Sequence, residues 1–129
     1  MKVSMRSRAA CLLLLVSLLV PSAAHAAQTG IGFSGRGPFS TNPLGTYNLG
    51  RQNGHNQGSV AFRIQLFYCS LAGMPNPISC DTRTVTAGRT VTGPWRSDPM
   101  PWKMYWRTRA TSSTSGAAIV GAIKCEASN

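Results

Sequence analysis

Residues 59–68 read Ser59-Val60-Ala61-Phe62-Arg63-Ile64-Gln65-Leu66-Phe67-Tyr68. Val60, Phe62, Ile64, Leu66 and Tyr68 alternate with Ala61, Arg63, Gln65 and Phe67, and a period of two puts the first set on one side of an extended chain. A single strand of this kind cannot stand alone, because its apolar face leaves water only when another layer covers it. The fold therefore turns on what the rest of the chain supplies.

Downstream the supply is more strand. Thr82-Arg83-Thr84-Val85-Thr86 and Arg89-Thr90-Val91-Thr92 are β-branched runs around Ala87-Gly88, read either as a hairpin or as one strand with a bulge. Pro94, Pro99 and Pro101 mark a stiff irregular connection, with Trp95 expected over one end of the core. Trp102, Met104 and Trp106 then alternate with Lys103, Tyr105 and Arg107, which predicts a strand with tryptophans inward and cations outward. Ala117 to Cys125 closes the chain; its alanines permit a helix, but Gly116, Gly121 and the β-branched content favour a strand. Upstream, residues 27–58 are rich in Gly, Asn, Gln, Ser and Thr with scattered apolar residues. This segment has too little apolar surface to fold alone, although Ile31 and Phe33 alternate with glycines in the manner of a strand awaiting a partner. The fold class predicted is all-β: a small antiparallel β-sandwich with an extended Gly-rich N-terminal segment.

Lys2, Arg6 and Arg8 precede the apolar run from Cys11 to Val20, and Ala24-His25-Ala26 follows Pro21. This is the pattern of a secretory signal peptide over residues 1–26, cleaved after Ala26. The run is shorter than the ~20 residues a spanning helix needs, so the protein is expected to be secreted and extracellular with no membrane span. Of 13 Lys+Arg and 3 Asp+Glu, giving a formal charge of +10, three bases leave with the signal, and the mature chain keeps a net charge of +7. The organisation predicted is signal peptide 1–26, extended segment 27–58, and a disulfide-stapled β domain 59–129.

Cys11 lies in the signal, so Cys69, Cys80 and Cys125 enter an oxidising compartment as an odd set. Cys69 and Cys80 flank a turn-rich loop and are the expected disulfide, with Cys69–Cys125 and Cys80–Cys125 as alternatives. Closing so short a loop contributes roughly 3 kcal/mol in the chain-entropy model.

Catalysis is poorly supplied. After the signal the chain holds one histidine, His55, and three carboxylates, Asp81, Asp98 and Glu126, whereas acid–base work needs a positioned pair. No local motif supports a Cys125/His55 nucleophile or a Ser/His/Asp set. There is no C-x-x-C or H-x-x-x-H spacing for a metal, and Gly30-x-Gly32 and Gly35-x-Gly37 are not framed by strand and helix as a phosphate cradle requires. The expectation is a non-enzyme without cofactor or metal.

The basic residues point to binding. Lys103, Tyr105, Arg107 and Arg109 share one strand face, an electropositive surface for an acidic partner, meaning another secreted protein or a cell-wall polymer such as a teichoic acid. Nucleic acid is not expected, because export removes the usual targets and no recognition module is present. Ile31 and Phe33 are candidates to complete another protein's sheet by strand addition, in which case removal of residues 27–40 leaves the domain folded; the alternatives are a flexible linker or a strand that closes this chain's own domain, in which case the truncated protein unfolds. A different class is a secreted protease inhibitor that presents the 70–79 loop, with Met74 in the cleft and Pro75 resisting cleavage.

The Ala-ending signal, the Gly-rich mature N-terminus around Ile31 and Phe33, and the short cysteine-containing β domain together resemble the small secreted adaptor subunit of the actinobacterial umbrella toxin particles. That resemblance implies a hetero-oligomeric antibacterial toxin complex. The N-terminal segment would insert into a lectin-like subunit, and the basic β domain would dock on the toxin-bearing subunit.

Overall fold

The computed structural model describes residues 26–97 and 102–129. The signal peptide expected over residues 1–26, apart from Ala26, and Asp98 to Pro101 of the proline-rich connection lie outside the described residues. The described chain contains no helix. Its strands are β1 (Ala27–Gly35), β2 (Phe39–Ser40), β3 (Leu44–Tyr47), β4 (Leu49–Asn56), β5 (Phe62–Cys69), β6 (Ile78–Val85), β7 (Thr90–Thr92), β8 (Arg96–Ser97), β9 (Met104–Ser112) and β10 (Ile119–Ser128).

Two antiparallel five-stranded sheets face each other. The front sheet runs β6–β5–β9, with β2 and β3 both on the far side of β9; the back sheet runs β1–β10–β4, with β7 and β8 both beyond β4. The protein is thus an all-β antiparallel sandwich. Its centre is the alternating stretch read first: Phe62, Ile64 and Leu66 of β5 are fully buried, while β9 runs antiparallel beside it from Tyr105 opposite Cys69 to Ser112 opposite Phe62.

The core has two clusters. Phe33, Phe62, Ile64, Val85, Ala110, Ile119 and Ile123 fill one end, and Leu66, Met104, Trp106, Cys125 and Ala127 fill the other. Phe33 stacks on Phe39 at 4.7 Å and meets Phe62 edge-on at 5.3 Å, both within the range of favourable aromatic pairs.

Strand β4 packs without apolar side chains of its own, since its inward positions after Leu49 are Gly50, Gln52, Gly54 and Asn56. The glycines leave holes for side chains of the front sheet: a Cβ at Gly50 would overlap the Trp106 indole, and one at Gly54 would press on Ile64 at 3.2 Å. The amides work as clips between layers. Asn56 Nδ2 donates to the carbonyls of Val60 and Val85, each at 2.9 Å, and its Oδ1 accepts from the Gly58 N–H at 2.8 Å. Gln52 Nε2 donates to the Asp81 carbonyl at 3.0 Å and to Asp81 Oδ2 at 2.8 Å. Trp106 Nε1–H reaches the Tyr47 carbonyl at 2.8 Å.

Four expectations are corrected. Residues 27–58 are not a separate extension: they supply β1 to β4, split between both sheets. Thr82 to Thr92 is neither hairpin nor single bulged strand, because β6 belongs to the front sheet and β7 to the back, so the intervening turn carries the chain across the sandwich. Trp102 is 53% exposed rather than inward, lying before the start of β9. Trp95 does not cap the core; its ring lies under the Arg51 guanidinium at 4.5 Å.

The Cys69–Cys80 bridge is also not formed. Phe67 pairs with Ser79 and Leu66 with Asp81, which puts Cys80 in the irregularity between them. Cys69 is therefore displaced along its strand from the point opposite Cys80 by about 7–9 Å, at roughly 3.4 Å per residue, and with the strand spacing added this exceeds disulfide reach.

Candidate functional site, a cationic sheet face

Along β9, Met104, Trp106, Thr108 and Ala110 are buried, so the period of two turns Tyr105, Arg107 and Arg109 outward. The neighbouring strand adds Arg63, Gln65 and Phe67 to the same surface, with Arg107 opposite Phe67, Arg109 opposite Gln65 and Thr111 opposite Arg63. Strand β6 completes it with Thr84, Thr82 and Ser79 opposite Arg63, Gln65 and Phe67. Lys103, exposed just before β9, extends the row at one end. Arg36 meets Arg63 at the other, across a groove of about 480 Å³ whose further lining includes Thr111, Ser112, Ser113 and Ser115.

Electrostatically this face has one sign. Among the described residues there are two carboxylates, and both are engaged elsewhere. Asp81 points inward, where it accepts from Gln52 and pairs with Arg83 at 3.1 Å. Glu126 sits on the back sheet with Arg51 and Lys124. None of Arg36, Arg63, Lys103, Arg107 and Arg109 is in an ion pair with a described residue, and Arg107 Nε is buried without a hydrogen-bond partner. Arg107 and Arg109 stand two residues apart on this face and Arg63 lies diagonal to Arg109, so like charges are neighbours, and no acid among the described residues offsets them.

Beyond Tyr105 the surface becomes apolar. The Tyr105 ring lies against Gly45 of β3, where a Cβ would overlap it. At the same end a cleft of about 290 Å³ is lined by Tyr68, Leu71, Pro75, Ile78, Trp102 and Met104. Leu71, Ile78 and Trp102 are 60%, 54% and 53% exposed. Sequence reasoning missed this patch, because Leu71 and Ile78 sit in a segment read as a loop and Trp102 was read as core.

The remaining candidates fall elsewhere. Phe33 is buried and Ile31 packs beside it in this chain's own core, through an unbroken β1–β10 ladder from Ala27 opposite Ala127 to Gly35 opposite Ile119. Phe33 is therefore not available to fill a partner's pocket, and Ile31 keeps only part of its surface free: β10 belongs to the same chain and offers β1 a local edge that no second protein must diffuse to reach. Met74 is buried at 3% exposure with φ +50°, so the 70–79 loop tucks its methionine inward and does not hold it out to a protease; of the Met74–Pro75 pair Pro75 alone is exposed, in the cleft wall. His55 Nδ1 lies 2.7 Å from the Thr90 hydroxyl on the outer surface of the back sheet. No cluster of three or more His, Cys, Asp or Glu side chains forms among the described residues, and no described helix is long and apolar enough to cross a membrane.

Fold and surface together define a small antiparallel sandwich whose front sheet carries, among the described residues, only cationic charges on its outer face and an apolar cleft at the end of the sheet, lined from its inner side by Tyr68 and Met104. Comparison with protein-family models, with curated proteins and with solved structures finds no match to the chain.

Proposed function

We propose that this chain is a secreted, non-enzymatic binding module that holds an acidic protein through the outer face of the front sheet, with the aromatic cleft as the apolar anchor. The observation that carries this reading is the set Arg63, Arg107 and Arg109 without any acid among the described residues of their surface, with exposed Leu71, Ile78 and Trp102 at the end of the same sheet. Tryptophan, tyrosine and arginine around a desolvated pocket are the residue types that dominate protein–protein binding energy. A complementary acidic surface would speed encounter and offset the like-charge repulsion within the sheet. An adaptor role in a hetero-oligomeric toxin complex fits such a surface, with charge rather than an inserted N-terminal segment making the contact.

The test is capture of partners from the native culture supernatant by immobilised protein, followed by mass spectrometry. A protein retained by wild type should be lost, or weakened at least tenfold, when Arg63, Arg107 and Arg109 are replaced by Ser. Equal capture by the triple variant at low salt refutes the assignment of the face.

A second reading has its own observation. Two arginines over the Ser/Thr-lined groove at Arg36 and Arg63 suit a phosphate-bearing cell-wall polymer. On that reading the protein sediments with teichoic-acid-bearing walls, and Arg36→Ser with Arg63→Ser abolishes sedimentation while Trp102→Ala does not.

A further inference from the structure

Sheet edges expose unpaired backbone groups, and proteins blunt them with short strands, bulges, prolines or charges. Most edges of this sandwich are blunted in one of these ways. Strands β2, β7 and β8 are two or three residues long. Strand β3 has four residues and an irregular register against β9. Strand β6 is longer, but its ladder is broken beside Cys80 and it carries Asp81 and Arg83. Strand β1 differs from all of them. It has nine residues, Ala-Gln-Thr-Gly-Ile-Gly-Phe-Ser-Gly, with no charged side chain and no proline, and its ladder with β10 is continuous from end to end. Among the described residues no other backbone hydrogen bond reaches it.

The sequence of β1 is also self-complementary. Turned antiparallel on itself about its midpoint, Ile31, it places Gly30 opposite Gly32, Gln28 opposite Ser34, Thr29 opposite Phe33 and Ala27 opposite Gly35. Small faces small, amide faces hydroxyl, and no like-charged side chains meet among the nine paired residues, although the molecule as a whole is strongly basic. Ile31 is only partly buried in the single chain, and the remainder of its surface would be covered by its own symmetry mate. A contact of this kind closes on itself as an isologous two-fold.

We propose that the outer edge of β1 is a self-association site, at which two copies of this chain join β1 to β1 antiparallel about a two-fold axis at Ile31. The two back sheets then form one continuous sheet, and the dimer carries two cationic faces. A single strand pair buries less than an ordinary stable interface, so the dimer is weak, dissociating in roughly the 10 µM range.

Sedimentation velocity of the purified protein over roughly 1 µM to 1 mM tests it. A monomer–dimer transition is expected. Gly32→Lys should raise the dissociation constant at least tenfold, since Gly32 is exposed with no atom nearer than 3.8 Å to a new Cβ and its side chain would lie diagonally across the axis from its own copy. Gly32→Glu should do the same. An equimolar mixture of the two variants should dimerise again at low salt, because opposite charges then meet across the axis. If circular dichroism shows that the Gly32 variants do not fold, Ser34→Lys, also exposed on β1, replaces them and should weaken the dimer by a similar factor. A protein that stays monomeric over the whole range, a dimer indifferent to charge on β1, or a Lys/Glu mixture that remains monomeric each overturns the proposal.

Discussion

At the scale of single residues, Asn56 and Cys125 do the least expected things. Asn56 satisfies a buried carbonyl at Val85, a part-buried one at Val60 and the Gly58 N–H, tying its own following loop to a strand of the other sheet. Replacing it with Ala strands those groups, and a buried group left unsatisfied costs about 1–3 kcal/mol. Urea titration of Asn56→Ala should therefore show a loss of about 2–4 kcal/mol with little change in m. Cys125 is fully buried on β10; burial above all, with smaller contributions from Glu126 and Cys80 and against a hydrogen bond with Thr108, pushes its thiol up to about 12 from 9.0. The folded chain thus holds this proton more tightly than the unfolded chain. Its stabilising contribution is complete below pH 9 and is lost as pH rises from 9 toward 12, by at most about 1.4 kcal/mol per pH unit. Denaturation of the reduced protein across that window should show the slope, and Cys125→Ala should flatten it.

At the scale of elements, β1 and β4 carry the difference between what was readable and what was not. Strands β5, β9 and β10 are legible because their own side chains alternate, with Phe62, Ile64 and Leu66, Met104 and Trp106, and Ile119 and Ile123 inside. Strand β4 is illegible because its inward set of Gly50, Gln52, Gly54 and Asn56 acquires meaning only from what the other sheet presents: an indole over Gly50, Ile64 and Val85 at Gly54, carbonyls at the two amides. Gly50→Val should accordingly fail to fold, although valine is the better strand former. Strand β1 was recognised as extended, but the chain it pairs with was left open. Because it contributes Phe33 to the core, deleting residues 27–35 should abolish cooperative unfolding, and Phe33→Ala should cost about 3–5 kcal/mol. A truncated protein with an unchanged thermal transition would remove β1 from the core.

At the scale of the whole molecule, the charge distribution separates two kinds of contact. The arginine face should bind its partner less tightly as salt rises from about 0.05 to 0.5 M, because exposed charges are screened over a few ångströms at the upper value. Self-association through uncharged β1 should change little over the same range. Measuring both on one preparation distinguishes the surfaces, and equal salt sensitivity would mean that a single patch serves both. The sequence by itself determined the β class, the central strand and the outward cationic row on β9, since each rests on local alternation and composition. Only the tertiary structure decided that residues 27–58 belong inside the sandwich, that the cysteines at 69 and 80 are out of register, that Met74 is buried and that Trp102 is not. Those outcomes depend on which strands become neighbours, and pairing between distant segments is set by the shapes and polar groups that the assembled layers present to one another.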